Sequence, residues 1–222
     1  MTTSFNDLPL REQKRARTRL GLVEALTTRL ETRQLEDIGV DELCREVGIS
    51  QATFFNYFPN KPALLTRFIQ LWSLKVGHLA AQVEALHESP LRAIEALFAD
   101  TAADISPRPR LMLETIAHQA RMPVDLELAP VERAERMLFI PGAEDVMALS
   151  DRGLGGILPA MLARAVAAGE LPEGSDVQAL TVAVASAFFG VPLILGPSQP
   201  ALIGPVYQQQ LRLIWAGARG VK

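Results

Sequence analysis

A chain of 222 residues has room for a sizeable core, and 49% apolar with 21% charged residues excludes a disordered or fibrous class. The net charge of −3 gives no global sign of nucleic-acid binding, but five cations (Arg11, Lys14, Arg15, Arg17, Arg19) stand against Glu12 alone between residues 11 and 19. The single cysteine, Cys44, excludes an intrachain disulfide and reads as a small packed residue. In chain order, Leu20, Val23, Leu26 and Leu30 predict a first helix over 10–33. A short second helix covers 41–47; Gly48 supplies the positive φ that ends it, and Ser50 caps a third helix over 51–57. Pro59 stops that helix, and a fourth opens near Lys61 and Pro62 and runs to 87. Beyond Pro90, helices are predicted over 91–104, 109–121, 130–138, 152–168, 176–195 and 201–219, with a loop or irregular turn over 139–150.

Residues 39–65 carry the chemistry. Leu43, Val47, Ile49 and Phe54 are expected to form a miniature core that fixes two helices at one crossing angle. Phe54 and Phe58, four apart, point back into it. The third helix then presents Gln51, Ala52, Thr53, Asn56 and Tyr57 outward. Gln and Asn bond base edges, and Ala or a Thr methyl meets a thymine methyl, so Gln51, Ala52 and Asn56 are the expected base readers. Ser50, Thr53, Tyr57 and Lys61 suit phosphate oxygens, as do Arg17, Thr18 and Arg19 in the first helix.

The run GVDELCREVGISQATFFNYFPNKPALL resembles the helix-turn-helix of the TetR family of bacterial transcription regulators, through Val40, Leu43, Gly48, Ile49, Ser50, Thr53, Phe54, Tyr57, Phe58, Lys61, Ala63 and Leu64. Cys44 stands where the family usually has alanine. The preceding RTRLGLVEALTTRL resembles the family's first helix, so the likeness covers residues 14–65. Gly39 occupies a position where threonine often caps the second helix, a role Asp41 is expected to take over. Phe55 stands where many members carry a phosphate-binding tyrosine, which leaves it as a packing contact to the DNA backbone.

The resemblance implies an all-α chain with a three-helix DNA-binding domain over residues 8–60 and a larger effector-binding and dimerisation domain over 61–222. It implies a ligand-responsive repressor, bound as a homodimer to a near-palindromic double-stranded operator. In the family the last two helices of each subunit form the dimer interface. Two apolar stripes at helical spacing are the candidates: Leu180, Val184, Phe188 and Val191, then Ile203, Tyr207, Leu211, Ile214 and Ala218. A small apolar or amphipathic effector is expected among the middle helices, lined by Trp72, Leu113, Ile116, His118, Met122, Met137, Met161 and Phe188.

Other classes find less support. No Ser/His/Asp, Cys/His or paired-carboxylate set has catalytic spacing, and three scattered histidines do not suggest a metal, so no enzyme activity, cofactor or metal is expected. The stretch from 177 to 211 has no charged residue, but Thr181, Ser186, Gly190, Pro192, Pro197 and Pro200 interrupt it, so buried or subunit-facing helices are expected rather than a membrane span. The first residues lack the apolar core of a signal peptide, which leaves a cytoplasmic location as the expectation. The alternatives are a regulator without an effector, recognisable by a fully packed middle domain, and a helical enzyme with an accessory head.

Overall fold

The computed structural model describes residues 4–122, 128–143, 146–149 and 153–220. Among these residues there are ten α-helices and no strand. They are α1 Leu10–Leu30, α2 Val40–Val47, α3 Gln51–Tyr57, α4 Lys61–Leu86, α5 Pro90–Ile105, α6 Pro109–Arg121, α7 Arg133–Phe139, α8 Leu154–Ala167, α9 Val177–Leu195 and α10 Ile203–Gly220. The chain divides into two compact units, Met1–Trp72 with Glu114–Leu149, and Ser73–Leu113 with Ser150–Lys222.

The first unit is built around α1. Leu22, Leu26 and Leu30 recur at helical spacing and are fully buried, alongside Leu43 of α2 and Phe54 of α3. Two local devices set the turn between α2 and α3. Gly48 adopts φ 73°, a left-handed conformation that side chains other than glycine resist, and ends α2. Ser50 then accepts a hydrogen bond from the Thr53 amide at 3.2 Å and opens α3. Phe58 is extended at φ −138°, as the residue before a proline prefers, and α3 stops there. Asn60 starts α4 by accepting the Ala63 amide at 2.8 Å. Also in this unit, Ala134 of α7 packs with Leu8 and Ala16.

The second unit centres on an aromatic cluster. Phe98 meets Phe188 and Tyr207 edge-on, with ring centres 5.1 Å and 4.9 Å apart, while Phe188 and Tyr207 stack at 5.8 Å. Pro192 lies inside α9 and has no N–H for the Phe188 carbonyl one turn back. The Tyr207 hydroxyl donates to that carbonyl at 2.6 Å instead. Burial pushes the hydroxyl's pKa far upward, so it stays a donor. Tyr207→Phe removes this donor and is expected to cost about 1–3 kcal/mol in chemical denaturation; a loss near zero would mean the bond does not support α9.

Candidate nucleic-acid interface

The core of the first unit leaves the outward face of α3 free. Gln51, Ala52, Phe55 and Asn56 are exposed, Thr53 and Tyr57 are half-buried, and Phe54 and Phe58 are buried. Helical geometry explains the division: one side of a seven-residue helix packs inward beside α2, and the other meets solvent. Phe55 is 52% exposed and touches the Phe54 ring edge-on at 5.2 Å. It therefore offers an aromatic surface where a tyrosine hydroxyl would offer a hydrogen bond.

The polar groups of this face are already ordered. The Ser50 and Thr53 hydroxyls lie 3.0 Å apart, and the Gln51 amide nitrogen donates to Asp41. Asp41 thus holds Gln51 and does not cap α2. That cap comes from Glu42, whose carboxylate accepts the Gly39 amide at 2.6 Å. The Arg33 guanidinium donates to Glu42 at 2.8 Å, and together with the Gly39 bond this holds its carboxyl down at about 2. Glu42 therefore stays ionised and keeps α2 fixed over any ordinary pH.

The basic run of α1 splits in two. Arg11, Lys14 and Arg17 are exposed, Arg17 lies 5.1 Å over the Phe5 ring, and Thr18 donates to the Lys14 carbonyl at 2.9 Å. Arg19 is turned inward and only 5% exposed, bonded to Glu132 at 3.1 Å and facing Glu135 at 3.4 Å. Its guanidinium, expected at phosphate, lies between two carboxylates and above the Phe58 ring at 5.3 Å. Lys61, also expected at phosphate, is engaged within the chain. Its ammonium donates to the carbonyls of Leu35, Glu36 and Ile38 at 2.7, 3.1 and 2.5 Å, which occupies all three of its protons and ties α4 to the α1–α2 connection.

The expected effector residues are divided between the two units. Trp72, Ile116, His118, Met122 and Met137 belong to the first unit, and Leu113, Met161 and Phe188 to the second. Met161 and Phe188 are buried, Phe188 within the aromatic cluster, and Met137 packs on Leu8, Ala16 and Ala134. His118 and Met122 do share a cleft of about 490 Å³, together with Thr66, Arg67 and Gln70, which the sequence reading did not single out.

The expected dimer stripes divide between buried and half-buried positions. Val184, Phe188, Val191, Ile203, Tyr207 and Leu211 are buried in their own unit, because the apolar faces that periodicity reveals are those that join α9 to α10 and to Phe98 of α5. Leu180, Ile214 and Ala218 remain half-buried along an apolar cleft of about 640 Å³. Other large side chains on these helices stay open: Val182, Leu193, Ile194 and Leu213. Among the described residues α9 is the one helix long and apolar enough to cross a membrane, and 22% of its apolar window is buried within the chain.

The family model of bacterial regulatory proteins, tetR family, matches residues 24–68. The HTH-type transcriptional regulator EthR of Mycobacterium tuberculosis is 37% identical over 71 residues, 32% of this chain and 32% of that protein. EthR of Mycolicibacterium smegmatis is 39% identical over 66 residues, 29% of this chain and 30% of that protein. The match thus spans about a third of the length of these relatives. Over the whole fold, the chain resembles Thermus thermophilus FadR, a TetR-family transcriptional repressor in complex with lauroyl-CoA, with a TM-score of 0.63, 18% identity and coverage of 92% of this chain and 96% of that one. Bacillus subtilis FadR in complex with stearoyl-CoA gives a TM-score of 0.63 at 14% identity, covering 91% and 99%.

Proposed function

We propose, for a chain whose N-terminal head is that of the TetR family of bacterial regulatory proteins, that it is a cytoplasmic DNA-binding transcription regulator acting as a ligand-responsive repressor. The observation that carries this reading is the free face of α3, where Gln51, Ala52, Phe55 and Asn56 stand clear of the core that fixes their helix. In this reading residues 8–60 bind DNA and residues 61–222 supply effector response and dimerisation. Gln51, Ala52 and Asn56 read bases in the major groove. Ser50, Thr53, Tyr57, Arg17 and Thr18 hold the backbone, and Phe55 packs against it. Arg19 and Lys61 shape the head from within.

One recognition helix covers a few base pairs, so two copies on a near-palindrome are needed for useful specificity, with half-sites about 34 Å or a multiple apart. The open apolar side chains Val182, Leu193, Ile194 and Leu213, with the cleft beside Leu180 and Ile214, suit a second copy of the chain. That partner also accounts for the largely unburied α9 without a membrane. The acyl-CoA complexes of the two FadR proteins support a small amphipathic effector here. Such an effector acts only by binding more tightly to the conformation with lower affinity for DNA.

The test is the salt dependence of binding to duplex DNA, followed by fluorescence anisotropy. Arg17→Ala is expected to weaken binding to all sequences and to lower the slope of log K against log salt by about one per protomer. An unchanged slope removes Arg17 from the phosphate contacts.

A further inference from the structure

We propose that the cleft between the end of α3, the first turns of α4 and the end of α6 binds a small organic anion with an apolar body, its acidic group seated on Arg67. The inference deepens the effector reading above and rests on it only for the regulatory consequence, since binding itself can be measured without DNA.

The cleft lies wholly within the first unit, and its volume of about 490 Å³ suits a small molecule. Arg67 lines it and is only 5% exposed. Its Nε stands 4.0 Å from the Glu135 carboxylate, and among the described residues one of its terminal nitrogens has no hydrogen-bond partner. A buried guanidinium left incompletely bonded is costly, and a carboxylate or phosphate would satisfy it with a two-pronged contact.

The local charge count points the same way. Arg15, Arg19 and Arg67 surround Glu132 and Glu135, three cations against two carboxylates. Arg121 adds a cation to the cleft, and among the described residues none of the side chains lining it is acidic. Burial, and secondly the neighbouring Arg121, hold the His118 pKa down, so its ring favours the neutral form. On the polar side, the Thr66 hydroxyl and His118 Nε2 lie 2.9 Å apart.

Asn60 and Gln70 are the further polar side chains, and much of the remaining wall is apolar: Phe58, Pro59, Pro62, Ala63, Met122 and Leu128. It asks for a hydrocarbon or aromatic body behind the charged group. A duplex phosphate does not meet this description, because a backbone held at the surface cannot reach so deeply buried a guanidinium. Tyr57, the last residue of α3, also lines the cleft, so an occupant touches the proposed reading helix directly.

The test uses the DNA-free protein with three probes of one shape, 1-naphthoate, 1-naphthyl phosphate and neutral 1-naphthol. Binding is measured by calorimetry, and the imidazole resonances of His78, His87 and His118 are followed by NMR. At least one anion is expected to saturate a single site about tenfold or more tighter than naphthol and to move the His118 resonance alone. The tighter anion identifies the acidic group as carboxylate or phosphate. Arg67→Met should abolish this preference, and Ala63→Phe, which fills the cleft and leaves the ion pairs intact, should abolish binding even if the Arg67 variant folds poorly. Equal affinity for naphthol, no saturation by either anion, or anion binding unaffected by Ala63→Phe would overturn the proposal. Release of DNA by the same anion tests the regulatory reading separately.

Discussion

Glu135→Ala is expected to destabilise the first unit by about 3–5 kcal/mol, because it removes the partner of two buried cations. Glu135 is fully buried, 3.4 Å from Arg19 and 4.0 Å from Arg67, and it also accepts the Glu132 amide at 3.2 Å to start α7. Removing the carboxylate leaves both guanidinium groups short of a counter-charge and α7 without that cap. Glu135→Gln keeps the shape and an acceptor for the Glu132 amide, so it should lose less than the alanine variant. Hydrogen exchange of the α1 and α7 amides across a denaturant series measures the loss for this unit alone, which is needed because a chain of two units need not unfold in one step. A loss below about 1 kcal/mol would show that the cluster is not holding α1 to α7.

Phe54→Ala should be as damaging, at about 3–5 kcal/mol, since it empties the centre of the head. Its ring is fully buried and packs against Phe55 at 5.2 Å and Phe58 at 6.1 Å. A seven-residue helix has little stability of its own and relies on this anchor. The α2 and α3 amides should therefore lose protection, and DNA binding should go with them. Phe55→Ala is the matched control. Phe55 is half exposed, so its removal should leave protection nearly unchanged while weakening DNA binding. Unchanged protection in Phe54→Ala would contradict the account of how α3 is held.

The local signals of the head were legible in the chain. Gly48, Ser50 and Pro59 each act within a few residues of themselves, and α3 begins and ends where they place it. The first helix ends at Leu30 rather than 33, an error of the kind expected where a helix frays without a glycine stop. Arg19 shows the limit. It falls on the same helical face as Ala16, Leu22 and Leu26, so the spacing marked it for the interior, but its charge and its neighbours argued for DNA. What decides is Glu132, 113 residues along the chain, and no local pattern announces that pairing. Lys61 is similar, because its partners are backbone carbonyls, which carry no sequence signature. In α9 and α10 periodicity found the apolar faces but not what covers them. The stripes through Phe188 and Tyr207 close on each other, while Val182, Leu193 and Leu213 stay open on other faces.

The proposed function stands or falls with DNA reading by the outward face of α3. Selection of binding sites from random duplexes, run in parallel on the natural chain and on Asn56→Ala, tests it most directly. Asn56 is exposed and outside the core, so the variant should fold normally. A near-palindromic site is expected for the natural chain, and for the variant a loss of preference at matching positions in both halves, worth about 1–3 kcal/mol of discrimination at each. An identical selection profile for the two proteins, or no selected site at all, would contradict it.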